Sequence, residues 1–288
     1  MRRVLVTAAL LLIAVPAGAK PAFEPRTKDN LPNVQSTSAI VVDLESGDVL
    51  YQKNADEVRN IASTGKIFVA LVARARDIDL DAETEITKED KQFSKGGART
   101  RLPVGYSFRN KDLLRALLIA SDNRAPSALG RAAGMDADEL IAAMNEFAHG
   151  LGLENTEFED PSGLNGNKST AREMATAFRK VMADDLLVSI MATKRTEIAS
   201  TKPKRRIIRY ANTNRSLKSK KYEVLGGKTG YTDAAGYCLL IAAKIEDREV
   251  AMVFLGSQGK KTRYGDFNRV VGWIIDGMPN ADKAIAAD

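Results

Sequence analysis

The run Ile67-Phe68-Val69-Ala70-Leu71-Val72-Ala73 follows Ser63-Thr64-Gly65-Lys66 and is apolar on every face of the helix it predicts. A helix of that kind belongs in the middle of a protein, with other elements packed around it. The chain can supply them. Its 288 residues are 44% hydrophobic and 28% charged, which suits a globular protein with a full core. Disorder, collagen and a multi-span membrane protein are excluded on the same grounds. The single cysteine, Cys238, excludes a disulfide framework, and with only His149 beside it a Cys/His zinc site is excluded too. Cys238 opens the apolar run Cys238-Leu239-Leu240-Ile241 and reads as a buried thiol. His149 precedes a Gly-rich turn and reads as structural, and there is no HExxH segment.

The first nineteen residues read as an address. Arg2 and Arg3 precede a twelve-residue apolar run, Val4 to Val15, then Pro16 and the small residues Ala17-Gly18-Ala19. This is the pattern of a secretory signal peptide cleaved after Ala19. Twelve apolar residues fall short of the ~20 a spanning helix needs. The mature chain is therefore expected outside the cytoplasm, with no stable membrane anchor. Without Arg2 and Arg3 there are 41 basic against 37 acidic residues, a balance of +4. So modest a charge does not suggest nucleic acid.

Residues 20–37 are polar, hold Pro21, Pro25 and Pro32, and are expected as a loose leader. Ala39 to Leu44 and Val49 to Tyr51 flank a turn at Glu45-Ser46-Gly47-Asp48 and predict an antiparallel hairpin. From Asn110 to Leu187, Leu and Ala recur at helical spacing, as in Leu113, Leu114, Leu117 and Leu118. Strands return at Tyr222–Leu225, Tyr237–Ile245 and Glu249–Leu255, and a last helical pattern covers Tyr264 to Ile275. Strands, helices, strands, helix: the simplest architecture is α/β, an antiparallel sheet built from both chain ends with an inserted helical lobe. The expected domain spans 38–276, followed by a short tail, 277–288. The groove between sheet and lobe is the default site. Lys202 to Lys221 holds nine Lys or Arg and no acid, and reads either as a solvated loop or as a segment attracted to an anionic polymer.

Two familiar motifs fail. Gly227-Lys228-Thr229 resembles the end of a P-loop, but Tyr222 stands where that loop needs Gly. Gly256-Ser257-Gln258-Gly259 lacks the residue a nucleophile elbow places between Gly and Ser. Three others remain. In Ser63-Thr64-Gly65-Lys66, a Ser and a Lys three apart at a helix start lie on one face. A neutral Lys66 could take the Ser63 proton, and burial beside the apolar run would lower its pKa as that role requires. The alternative is an N-cap Ser with an exposed Lys, and Ser257-Gln258-Gly259-Lys260 matches the same pattern. Ser121-Asp122-Asn123 lies between two helical runs, and Lys228-Thr229-Gly230 on or just after a strand. Singly these are weak. In this order, with 58 residues between the two serines and 105 from Asn123 to Lys228, they form a specific set.

The chain resembles the low-molecular-mass penicillin-binding proteins, serine D-alanyl-D-alanine endopeptidases and carboxypeptidases with a penicillin-binding-protein/β-lactamase-like fold. The likeness runs from about Ser38 to Ile275. It is closest to the endopeptidase branch through Ser121-Asp122-Asn123-Arg124-Ala125, Ser162-Gly163-Leu164-Asn165 and Lys228-Thr229-Gly230-Tyr231-Thr232-Asp233. Many carboxypeptidases of the family carry Ser-Gly-Asn as the second motif and an amphipathic tail domain, whereas about a dozen residues follow Ile275 here. The resemblance implies Ser63 as acylated nucleophile and Lys66 as its base. It implies Ser121 as proton relay and Asn123 as partner of Lys66 or the substrate. Lys228 and Thr229 would hold the substrate carboxylate, with Lys228 keeping Lys66 neutral by like charge. The backbone N–H groups of Ser63 and Tyr231, beside Gly230, would form the oxyanion hole. Arg99, Arg101 and Arg124 could meet substrate carboxylates or be surface charges. No cofactor is implied. The implied partners are peptidoglycan stem peptides and crosslinks, with β-lactams as inhibitors, and the implied home is the periplasm.

Three rivals stand beside the endopeptidase: a D-alanyl-D-alanine carboxypeptidase, a β-lactamase and an inactive wall-binding module. A class A β-lactamase needs a deacylating Glu in a Glu-x-x-Leu-Asn segment, and Pro161 stands three residues before Leu164. The three intact motifs argue against an inactive module.

Overall fold

All six residues of β1 (Ser38–Asp43) are buried, which a strand achieves only where both faces of its sheet are covered. In this computed structural model, which describes residues 23–286 apart from 99, 220 and 221, β1 and β2 (Val49–Lys53) form the expected hairpin. The short strand β3 (Arg59–Asn60) leads to a 3-10 turn, Ala62–Gly65, and then to α1 (Lys66–Ala75). Next come β4 (Glu83–Glu85), α2 (Lys88–Phe93) and β5 (Ser107–Arg109). The helical lobe is α3 (Asn110–Ala120), α4 (Ala125–Ala132) and α5 (Ala137–Gly150), then, beyond β6 (Lys168–Ser169), α6 (Ala171–Met182) and α7 (Asp185–Ala192). A hairpin of β7 (Arg195–Ala199) and β8 (Ile207–Ala211) returns the chain to β9 (Glu223–Thr232), β10 (Gly236–Ile245) and β11 (Arg248–Ser257). Helices α8 (Thr262–Ile275) and α9 (Ala281–Ile285) follow.

The main sheet has the order β2-β1-β11-β10-β9 and is antiparallel throughout, so the two chain ends meet at β1 and β11. Alternation along β1 sends Ile40 and Val42 to the helical lobe, and Ala39 and Val41 to the core beneath α8. Phe267, Val270, Trp273 and Ile274 of α8 cover that second face. Both faces are dry, which is why these strands read as continuous apolar runs. Helix α1 is packed among α3, α4, α5 and α6, α6 covers β1 and β11, and the turn that leads into α1 meets β9; the residues of α1 from Lys66 to Ala73 are buried. The α/β architecture expected from the sequence is the one observed.

Three local expectations change in the fold, those for the leader and the tail because of partners distant in sequence. The leader is not loose over its described part. Val34 and Ser36 are buried, and the Asp266 carboxylate accepts from Gln35 N at 2.7 Å and Ser36 N at 2.9 Å. It also takes the Ser36 hydroxyl, which meets Ser257 Oγ, while Arg269 pairs with its other side. The tail packs too, with Ala284 buried and Lys283 on Asp29 at 2.7 Å. Residues 202–221 are not simply a loop, since they contain β8, whose alternating exposed and buried residues are a half-buried strand. The strand expected at Tyr222–Leu225 runs on from Glu223 to Thr232, and Lys228-Thr229-Gly230 lies on it, one of the two placements the sequence allowed. The expected signal peptide, Met1–Ala19, lies outside the described residues.

The Asp266 cluster makes a test. Asp266→Ala strands the Arg269 guanidinium and three donors of the leader. Removing one partner of a buried charge pair costs about 3–5 kcal/mol. In a chain of this size the thermal midpoint should fall by about 10 °C. A calorimetric midpoint within about 2 °C of the parent would show that the leader is not held this way.

Candidate active site

Ser63 stands in the 3-10 turn before α1, and its hydroxyl caps no helix N–H. The alternative reading as an N-cap is therefore not what the fold uses. The turn is reached through Ala62 at φ +49°, a left-handed conformation that a residue with a Cβ adopts at a cost of about 1–3 kcal/mol. Gly163 presses on it from the far side. A Cβ there would sit 2.2 Å from Ala62 O and 2.9 Å from Ser63 N, and Gly163 also has φ +73°. Gly230 of β9 closes in as well, since a Cβ on it would lie 3.1 Å from Ser63 N. Backbone packed this tightly fixes the Ser63 peptide between two glycines.

Lys66 begins α1 with its side chain fully buried. Its Nζ lies 2.8 Å from Ser63 Oγ and 2.7 Å from Asn123 Oδ1, and it donates to Ser162 O. Burial pushes the ammonium down to about 7, opposed by the attraction of Asp160 and Asp122. Neither carboxylate is a direct partner. Asp160 accepts the backbone N–H groups of Ser162, Leu164 and Asn165, and so shapes the loop that presents Ser162 O. Asp122 takes Arg101 N and the Tyr210 hydroxyl, tying the second motif to β8.

Ser121 ends α3 in the left-handed region at φ +59°. This kink lets residues 121–123 reach two places at once. Asn123 turns back to Lys66, while Ser121 Oγ receives Lys228 Nζ at 2.8 Å. Lys228 also donates to Thr229 O at 2.9 Å. The like-charge coupling of Lys228 and Lys66 expected from the sequence is present. Lys228 is fully buried, and burial first, then the Lys66 and Arg263 cations, hold its amine well below the usual lysine range. Lys66 owes its own shift to burial.

A groove of about 940 Å³ runs across these residues and is lined by Ser63, Ser121, Asn123, Thr229, Gly230 and Tyr231. Lys66 and Lys228 stand behind it. Thr229 Oγ donates to Thr213 Oγ at 2.8 Å, and Tyr231 stacks on Tyr237 with ring centres 4.3 Å apart. Sequence reasoning missed the groove's Thr213, Arg215 and Arg263. The last donates to Gly230 O at 2.9 Å and Cys238 O at 2.7 Å, and its Nε has no partner among the described residues. It also missed the carbonyl of Ser162. The signal available was the turn cluster around Asp160, but a backbone acceptor leaves no mark in composition. Arg101 and Arg124 do not line the groove and bond carbonyls instead, and Arg99 lies outside the described residues. Ser257, the duplicate of the Ser-x-x-Lys pattern, is buried against Ser36. Cys238 is buried, with its thiol pushed up to about 11. A larger hollow of about 1440 Å³, along Asp43, Arg179 and Arg248, contains none of the three motifs.

Comparison with known proteins points the same way. The chain is 32% identical to a D-alanyl-D-alanine endopeptidase of Escherichia coli K12, covering 99% of this chain and 93% of that one. It is 31% identical to a D-alanyl-D-alanine endopeptidase of Pseudomonas aeruginosa over the same shares. Among solved structures, the Streptomyces K15 DD-transpeptidase superposes with a TM-score of 0.79 at 27% identity, covering 85% of this chain and 99% of that chain. The family model for D-alanyl-D-alanine carboxypeptidases, peptidase S11, matches residues 25–259, and the chain belongs to that family.

Proposed function

We propose that this chain is a secreted, periplasmic serine D,D-peptidase that opens D-alanyl bonds of peptidoglycan, chiefly in peptide crosslinks, through an ester on Ser63. The observation that carries the reading is the fully buried Lys66 amine 2.8 Å from Ser63 Oγ in an open groove.

The hydrogen bonds of Lys66 define its role. As an ammonium it spends its three N–H bonds on Ser63 Oγ, Asn123 Oδ1 and Ser162 O. The latter two atoms only accept. When Lys66 loses a proton, its two remaining N–H bonds stay on them and its lone pair faces Ser63. The Ser63 O–H can then donate to Nζ, and its oxygen attacks the D-alanyl carbonyl as the proton passes to Lys66. Negative charge on the carbonyl oxygen meets the N–H groups of Ser63 and Tyr231, held close by Gly230. One such donor is worth about 2.7–4 kcal/mol. The leaving nitrogen needs a proton: Ser121, bonded to the amine of Lys228, donates its own, and the proton that Lys66 took from Ser63 replaces it, which returns Lys66 to a free amine. The C–N bond breaks, the amine departs, and the acyl group stays on Ser63 as an ester. Water then enters where the amine stood, and Lys66 serves as base again.

The substrate's carboxylate meets Thr229 Oγ and the groove cations Arg215 and Arg263, with Lys228 behind them. Among the described residues, Asp233 is the only carboxylate along the groove, and it is bonded to the Tyr231 hydroxyl. Pro161 stands where the deacylating Glu of a class A β-lactamase would, so a penicilloyl ester on Ser63 is expected to be long-lived. The carboxypeptidase reading is favoured by the description of the family model. Cleavage of purified crosslinked dimers and of pentapeptides, side by side, separates the two.

Isolated sacculi treated with the mature protein and then digested with a muramidase should yield monomeric muropeptides in place of crosslinked ones, the release of monomers at the expense of dimers. Ser63→Ala should abolish this release and all labelling by fluorescent penicillin, while Ser257→Ala preserves both. Labelling that persists in Ser63→Ala would remove Ser63 from the mechanism.

Lys66 is an ammonium below about 7 and a free amine above it. Penicillin acylation, followed as kcat/KM, should rise about tenfold per pH unit below that point and level off above it. A rate independent of pH from about 5.5 to 8.5 would mean that Lys66 is not the base.

A further inference from the structure

The active groove does not close at Arg215. Ala211, Asn212 and Arg215 line it and also line a second hollow of about 770 Å³, which continues along Lys194, Arg195 and Lys218. The walls of this hollow hold four cations and no acid. All four are exposed, and none has an ion pair among the described residues. Their neighbours differ: Arg209 is paired with Glu197 and Lys202 with Glu83. The basic segment thus divides into cations neutralised within the fold and cations left for something else.

The backbone around the hollow is well held. Asn212 Nδ2 donates to Met191 O and Thr193 O at 3.0 Å each, and Asn212 N to Lys194 O at 2.9 Å. Arg195 is registered against Ala211 in the β7–β8 ladder. Arg215 N donates to the Tyr264 hydroxyl at 3.3 Å. Like charges gathered in one concavity repel, and a cleft of one sign concentrates oppositely charged ligands.

The position of the hollow says which part of a substrate reaches it. Thr213 accepts the Thr229 hydroxyl, and the next residues along the chain border the hollow. Ser121 and Thr229 stand on the side of the groove where the amine leaves. A carboxypeptidase releases a single D-alanine there, too short to reach further. An endopeptidase releases a whole stem peptide, which carries several carboxylates. We infer that the hollow is a subsite for the carboxylates of the leaving stem peptide in a crosslink. The inference rests on the D,D-peptidase reading above and adds the feature that directs it to crosslinks.

The test is the variant Lys194→Glu/Lys218→Glu, with both changes exposed and outside the active groove. Purified crosslinked dimer and pentapeptide are compared, with fluorescent penicillin as a control for the acylating site. For the dimer, kcat/KM should fall about tenfold and lose most of its dependence on salt between about 50 and 200 mM. Pentapeptide cleavage and penicillin acylation should stay within about twofold, and Lys194→Arg/Lys218→Arg should cleave the dimer like the parent. Unchanged dimer kinetics would overturn the subsite, as would an equal fall on dimer and pentapeptide. Parent protein that sediments with phosphatidylglycerol vesicles, joined to unchanged dimer kinetics in the variant, would assign the face to an anionic membrane instead. A parent enzyme that cleaves neither peptide refutes the D,D-peptidase reading, and the subsite with it. Failure of the subsite alone shows as a parent active on dimer and a variant equally active.

Discussion

An amine with no exposure to water must find its hydrogen bonds inside the fold or give up its charge. Lys66 does some of each. Its three partners come from three separate stretches of chain: the turn before α1, the end of α3 and the loop at Ser162. Placing that amine requires α1 at the centre of the helical lobe, with the turn before it against β9. The same burial that makes Lys66 costly makes it a base near neutral pH.

The energy to hold it comes from the rest of the structure. Ala62 and Ser121, the residues that aim the first and second motifs, both sit at positive φ without being glycine. Each conformation costs about 1–3 kcal/mol and persists only where surrounding packing fixes it. The apolar face of α1 and the two cores on either side of the sheet provide that packing. Gly163 and Gly230 show how close the fit is, because a methyl group at Gly163 would overlap the backbone at Ala62 and Ser63, and one at Gly230 would crowd it. Lys228 belongs to the same arrangement. It is a buried amine bonded to Ser121 behind the groove.

Much of this was legible in the sequence. A seven-residue run without a polar face can only be a central helix, and it located Ser63 and Lys66 at its head. Runs such as Val250–Leu255 gave the buried strands, because dry faces on both sides leave nothing to alternate. What stayed hidden depends on distant partners. The leader looked loose because its anchor, Asp266, lies about 230 residues away. The carbonyl of Ser162 has no side-chain signature. The burial of Lys228 could not be read either, and burial is the first cause of its lowered pKa. The basic segment was visible as composition, but only the fold separates Arg209, paired with Glu197, from the unpaired cations beside the groove.

The central claim is that burial turns Lys66 into a neutral base beside Ser63. Enzyme carrying lysine labelled with carbon-13 at Cε, titrated by NMR and assigned through Lys66→Arg, measures this directly. The account predicts one resting-state lysine resonance, lost in that variant, with a midpoint of about 7. A Lys66 resonance that titrates in the ordinary lysine range, about 10.4, would contradict it.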